Sequence, residues 1–109
     1  MARGYARALP RAWQGLARVF TSLGDEQRQR ILLMFQRGEE LSMKQVVARV
    51  TEAKQMSRTA VVHHIGVLRD AGVLAAERRG KEVYLRPEPR RVLDAIEGLR
   101  GYIKEEYRL

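Results

Sequence analysis

Residues 57–72 read SRTAVVHHIGVLRDAG, and few conformations are open to such a stretch. The Ser57 hydroxyl can accept from the backbone a few positions on, which is how a helix is commonly opened. Gly72 tolerates the left-handed backbone that closes one. Between them, at about 100° per residue, Val61, His64, Ile65 and Leu68 gather on one side. A one-sided helix with both ends marked must lie against a core. That leaves its other side, with Thr59, Val62, His63, Gly66 and Asp70, flanked by Arg58 and Arg69, to be explained.

Neither capping nor core packing accounts for that second side. A solvated helix surface is normally filled with Lys, Glu or Ala, whereas here Gly66 stands mid-helix at a cost of roughly 1 kcal/mol against Ala. Val62 is apolar and points outward. Both fit a surface that another body approaches closely, and the DNA major groove, about 12 Å wide, admits one helix. In that setting Arg58 can bond guanine edges, Thr59 and His63 can meet base edges or phosphates, and Val62 a thymine methyl. A plain amphipathic helix with a tolerated Gly and Val is the alternative.

The rest of the chain supplies the surroundings. Trp13, Leu16, Ala17, Phe20 and Leu23 have helical spacing that ends at Gly24. Asp25 can cap DEQRQRILLMFQR, a second helix running to Gly38, and its Ile31–Phe35 stretch is apolar nearly all round, as suits a central or inter-subunit helix. Ser42 can cap a short third helix with Val46, Val47 and Val50, and the polar connection TEAKQM follows it. Beyond Gly72 the period changes. VLAAER and KEVYLR read as strands joined at Arg79–Gly80, Pro87 and Pro89 end the second strand, and Val92, Ile96, Leu99 and Ile103 stripe a last helix. The expected order is helix, helix, helix, helix, strand, strand, helix. This is a mainly α chain with a small β-hairpin, a helix-turn-helix with a wing. Arg78, Arg79 and Lys81 ring the hairpin turn. They can lie along a phosphate backbone or enter a minor groove, or form an ordinary solvated turn.

Charge agrees with a polyanionic partner. The chain has 109 residues, enough for one modest core, and carries a formal net charge of +8 with a pI near 10.6. Such a field draws nucleic acid first and acidic membrane second. No run reaches the ~18 apolar residues of a membrane span, and MARGYARALPRAWQG lacks the apolar segment of a secretory signal. It is acid-free like a transit peptide but poor in serine, so a cytoplasmic location is expected. If residues 1–12 were helical, Arg3, Arg7 and Arg11 would share one face, toward DNA flanks or solvent. There is no cysteine, so disulfides and thiol chemistry are excluded. Neither histidine has an acid at a catalytic spacing, there is no Gly-rich phosphate loop, and an enzyme is not expected. His63 and His64 are adjacent, diverge on a helix and do not make a chelate, which leaves His64 as a hydrogen-bonded residue at the core edge.

From about Phe20 to Tyr107 the chain resembles the ArsR/SmtB-like winged-helix transcriptional repressors. LGDEQRQRIL is similar to that family's second helix, SRTAVVHHIGVLRDAGVL to its recognition helix, and ERRGKEVYLR to its wing. The resemblance implies a homodimer joined by first and last helices, through Trp13, Leu16, Phe20, Val92, Ile96, Leu99 and Ile103. It also implies a two-fold symmetric operator read by one recognition helix per half-site. Ser57, Arg58, Thr59, Val62 and His63 match the family's base and phosphate contacts, and Arg69, Arg78, Arg79 and Lys81 complete the expected DNA surface. The family often has Gln and Ser at the positions of Arg58 and Val62, which implies a different operator.

Two departures stand out. Metal-sensing members carry paired cysteines in the stretch matching Glu40-Leu41-Ser42-Met43-Lys44-Gln45-Val46, where this chain has Ser42 and Lys44. Others use Asp and His of the last helix, which here offers Asp94, Glu97, Glu105 and Glu106 without histidine; no metal or other cofactor is therefore expected. The span between Ser42 and Ser57 is also about one turn longer than the family's. The expectation is a basic arm (1–12) and a winged helix-turn-helix domain (13–107) that binds duplex DNA as a sequence-specific, non-metal-sensing repressor, with inducer unknown. The alternative is a winged helix for nonspecific nucleic-acid binding or protein docking.

Overall fold

The computed structural model describes residues 3–53 and 56–109. Lys54 and Gln55 of the expected TEAKQM connection, and Met1 and Ala2 of the arm, lie outside the described residues. Five α-helices and a three-stranded antiparallel sheet follow one another: α1 (Leu16–Leu23), α2 (Glu26–Leu33), β1 (Leu41–Ser42), α3 (Met43–Glu52), α4 (Arg58–Asp70), β2 (Leu74–Arg79), β3 (Glu82–Pro87) and α5 (Pro89–Glu106). The sheet order is β1-β3-β2. This is the expected winged helix, with one strand more.

The core is aliphatic. Val19 of α1, Ile31 of α2, Val46 and Val50 of α3, Val61, Ile65 and Leu68 of α4, and Leu74 and Leu85 of the hairpin form one buried cluster. Ser22 is buried among them at no cost in lost hydrogen bonds, because its hydroxyl donates to the Val19 carbonyl at 2.7 Å. Ser42 and Gln45 form a reciprocal capping box at the start of α3, with the Gln45 amide on Ser42 Oγ at 3.1 Å and the Ser42 amide on Gln45 Oε1 at 2.8 Å.

Arg28 of α2 ties three helices together. Its guanidinium donates to the Ser22 carbonyl at 2.8 Å and the Thr21 carbonyl at 2.9 Å in the last turn of α1, the latter shared with the Gly24 amide. It also donates to His64 Nδ1 of α4 at 3.1 Å. An arginine offers only donors, so Nδ1 accepts and the imidazole proton sits on Nε2. His64 is thus the hydrogen-bonded core-edge residue expected of it.

Two helix boundaries need correction. The helix drawn from Trp13 begins at Leu16, because Gly15 adopts φ +80° and breaks it. Arg11–Trp13 form a separate 3-10 turn behind Pro10, with the Trp13 amide on the Pro10 carbonyl at 2.9 Å. Helix α2 stops at Leu33, not Gly38. Its end tightens into i→i+3 bonds from Met34 to Ile31 and from Phe35 to Leu32, and Met34 and Phe35 turn onto the core. Its apolar run is only partly covered: Ile31 is 1% exposed, whereas Leu33 is 82% exposed. Arg3 and Arg7 lie outside any helix, and Arg3 pairs with Glu106 of α5.

The α4–β2 junction is a full Schellman closure. The Gly72 amide bonds the Arg69 carbonyl at 2.9 Å, the Val73 amide bonds the Leu68 carbonyl at 3.0 Å, and buried Val73 and Leu68 supply the apolar contact that usually accompanies it. Gly72 sits at φ +77°, and a Cβ there would come within 3.2 Å of Arg91 Nε. Gly72→Ala is therefore expected to lower the unfolding free energy by about 1–2 kcal/mol; urea denaturation followed by circular dichroism measures it, and an unchanged midpoint contradicts the assignment.

Candidate nucleic-acid interface

The outer face of α4 is open. Ser57 Oγ accepts from the Ala60 amide at 3.2 Å and starts the helix. Val61, Ile65 and Leu68 are buried, so Ser57, Arg58, Thr59, Val62 and His63 are turned to solvent together. Val62 is 41% exposed, an apolar side chain open to solvent. Arg58 has no ion-pair partner among the described residues. Arg69 is exposed but meets Asp70 at 3.4 Å, which offsets part of its charge. At Gly66 an added Cβ would meet only the flexible end of Arg69 at 3.8 Å, so the fold itself does not require a glycine there.

The hairpin stands beside this helix. Arg79 pairs with Glu82 across β2 and β3, leaving Gly80 and Lys81 as the loop, one residue beyond the Arg79–Gly80 turn read from the sequence. Gly80 takes φ +62°. Short β1 adds to the far edge of β3, with Leu41 opposite Leu85 and Ser42 opposite Tyr84.

The three cations at the turn are not equivalent. Arg79 is clasped within the chain. Its guanidinium bonds both carboxylate oxygens of Glu40, at 2.6 and 2.9 Å, and Glu77 at 3.1 Å, and lies over the Tyr84 ring at 4.7 Å. These hydrogen bonds, and then the charges behind them, raise the Arg79 pKa and hold that of Glu77 below its ordinary value. Arg79 therefore does not stand as a free cation. The Arg78 side chain bonds only the Gly80 carbonyl, at 3.3 Å, and Lys81 has no ion pair among the described residues. Arg86 joins the network through Glu40 at 3.9 Å and Glu88 at 3.0 Å, and Lys44 reaches Glu82 at 4.0 Å. The wing's positive charge is thus concentrated at Arg78 and Lys81.

The expected pairing stripe divides in three. Phe20, Ile96, Leu99 and Ile103 line one open groove of about 550 Å³, with three of them 37–44% exposed. Trp13 does not line it; its ring stands edge-on to Tyr102 at 5.5 Å. Leu16 is 5% exposed and Val92 packs on the core, so both are engaged within their own chain, and Leu16 is not an open contact as drawn from the stripe.

In the stretch that resembles the family's metal-binding motif, the Ser42 hydroxyl caps α3 and Lys44 leans toward Glu82. Among the described residues no group of three or more His, Asp or Glu converges on one point, and no helix is long and apolar enough to cross a membrane. Sequence reasoning missed the Arg28–His64 link and the Glu40–Arg79 clasp, whose partners lie 36 and 39 positions apart with no periodic signal joining them.

The chain is similar to regulators of transcription. It is 36% identical over 87 residues to the arsenic resistance transcriptional regulator ArsR1 of Pseudomonas putida, an alignment spanning 78% of this chain and 63% of that protein. It is 34% identical over 65 residues to YuzN, an uncharacterized HTH-type transcriptional regulator of Bacillus subtilis, spanning 58% of this chain and 71% of that one. Among solved structures, an ArsR-like transcriptional regulator from Rhodococcus superposes with TM-score 0.73 at 26% identity, over 88% of this chain and 86% of that one. HlyU from Vibrio cholerae shares the fold, with TM-score 0.61 at 16% identity over 93% and 100% of the two chains. No family model matches the chain.

The clasp gives Arg79 a role in shaping the wing. In Arg79→Ala, amide hydrogen exchange is expected to quicken across residues 77–82, while Lys81→Ala leaves it unchanged. Arg79→Lys should not restore protection, since a lysine cannot bond two carboxylates in a planar fork. Equal exchange in all three variants contradicts the assignment.

Proposed function

The chain belongs to the ArsR-like family of winged-helix transcriptional regulators, and from that premise we propose that it is a homodimeric, sequence-specific repressor that reads a two-fold symmetric operator without a bound metal. The observation that carries this is the outer face of α4. Three buried residues fix the helix's rotation, and the opposite side presents Arg58, without an ion pair among the described residues, polar Thr59 and His63, outward Val62 and a glycine that the fold does not need.

In the proposed complex α4 enters the major groove. Arg58 bonds a guanine edge in two places, Thr59 and His63 bond base edges or phosphates, and Val62 meets a thymine methyl. Ser57 brings the helix N-terminus to a phosphate. Arg78 and Lys81 lie along the backbone, Arg69 adds a weaker phosphate contact because of Asp70, and Arg79 keeps the wing in shape. A second copy covers the Phe20–Ile96–Leu99–Ile103 groove and sets two recognition helices about one DNA turn apart. Residues 13–107 form the domain, with Trp13, Leu16 and Val92 bracing α1 and α5 behind that contact, and residues 1–12 form the arm. Metal sensing is left out because Ser42 and Lys44 have other partners.

Binding assays on random duplex and on DNA from beside the chain's own gene separate this from a nonspecific or protein-docking module. A specific repressor prefers its site by about 10³ or more; a preference below about tenfold overturns the proposal. Arg58→Ala is expected to relax selection at one base pair, worth about 1–3 kcal/mol. Lys81→Ala should weaken all duplexes alike and reduce the salt slope by about one. Gly66→Ala should raise fold stability by up to about 1 kcal/mol yet weaken specific binding, and unimpaired binding would show that nothing approaches that face closely.

A further inference from the structure

Helices α2 and α3 and Met56 line an open cavity of about 250 Å³. Ile31 and Val50, 1% and 7% exposed, form its floor, and the half-buried side chains of Met34 and Met56 close its sides. Arg30 and Arg49 stand at its mouth, one from each helix, both largely exposed. Arg30 meets Glu26 only loosely, at 3.8 Å, and Arg49 has no ion pair among the described residues. An apolar floor gives water no hydrogen bonds, and two guanidiniums among the lining residues favour an anionic head group. The volume lies below the ~300–1,000 Å³ usual for drug-sized ligands.

We infer that this cavity binds a small amphipathic carboxylate, its tail among Met34, Met56, Ile31 and Val50 and its head between Arg30 and Arg49, and that occupancy weakens the hold of α4 on DNA. The coupling rests on the DNA-binding function proposed above and on position. Met56 directly precedes Ser57, whose hydroxyl starts α4 on the Ala60 amide. A ligand that displaces Met56 displaces the cap, and a cap is worth about 1 kcal/mol to its helix.

Two measurements on the full chain test the site and the coupling separately. First, methionine methyl resonances of the DNA-free protein are followed while hexanoate, and in parallel hexanol, is added. The Met34 and Met56 signals should move and saturate with hexanoate, and the Met43 signal should stay. Hexanol should bind at least tenfold more weakly, and Arg49→Gln or Arg30→Gln should weaken hexanoate about tenfold and leave hexanol unaffected. Equal binding of hexanoate and hexanol, equal movement of Met43, or indifference to both arginine changes overturns the site. Second, saturating hexanoate should lower duplex affinity of the native chain but not of Met56→Trp, which fills the cavity, with thermal melting confirming that the variant folds. Hexanoate binding with unchanged duplex affinity overturns the coupling. Failure to bind duplex without hexanoate overturns the DNA-binding function instead, and the methyl titration still decides the site.

Discussion

Burial of Val61, Ile65 and Leu68 is the constraint on which the rest of this molecule depends. Each is 0–1% exposed, and burying an aliphatic side chain of this size is worth about 1.5–3 kcal/mol. Turning α4 by one residue, about 100°, would expose most of that surface, a loss comparable with the whole stability of a small domain. The helix therefore has one permitted rotation, and the identity of its outward face follows from its inward one. Its axial position is fixed as firmly. Ser57 starts it, Leu68–Val73 close it, and the Arg28–His64 bond holds its middle to α1 and α2. A face of Arg, Thr, Val and His is presented with little freedom, as recognition of a rigid duplex requires.

Electrostatics add direction to this scaffold in a way that a charge count does not capture. The chain carries +8 formally, yet the arginine at the end of β2 is consumed by two carboxylates and an aromatic face. The clasp links β1's approach, through Glu40, to the hairpin, through Glu77 and Tyr84, so it holds the wing to the body. Charge used for shape is not available for steering. What remains open on the wing is Arg78 and Lys81, beside and within the hairpin turn.

How much of this is legible in the sequence depends on the range of the interaction. Caps act over three or four residues, and so Ser42, Ser57, Asp25 and Gly72 could be read directly, as could the change from helical to alternating period at Gly72. The α4 face was equally legible, because a rotation needs only the 3.6-residue period. The break at Gly15 was not, since a glycine near a helix start is compatible with continuation or interruption, and packing of Trp13 on Tyr102 decides. Nor was β1, whose two residues carry no alternation of their own and are strands only because β3 offers an edge. The apolar run Ile31–Phe35 misled for the same reason. It looks like a buried helix, whereas the chain turns at Met34 to seat Met34 and Phe35 by another route and leaves Leu33 outside. Leu16 shares the stripe of Phe20, but whether such a residue is closed over by its own α5 is a tertiary fact.

The segment Glu40–Val46 resembles the family's metal-binding stretch but carries Ser42 and Lys44 in place of its cysteines. Its polar groups have not been left idle. Glu40 clasps Arg79, the Ser42 hydroxyl and amide complete the capping box of α3, and Lys44 reaches toward Glu82. Leu41 and Ser42 also pair with β3. The Glu40–Arg79 and Lys44–Glu82 pairs and the pairing of Leu41 and Ser42 with β3 join the start of α3 to the wing, while the capping box stiffens α3 itself, which makes the segment a strut between α3 and the wing. A strut stiffened in this way is a poor place for a switch, because a ligand there would have to break several interactions at once. The other end of α3 differs. Its side chains toward α2 surround an open cavity, and α4 begins a few residues further on. In a chain built so, a chemical signal acts with least resistance at the end of α3 that the strut does not hold.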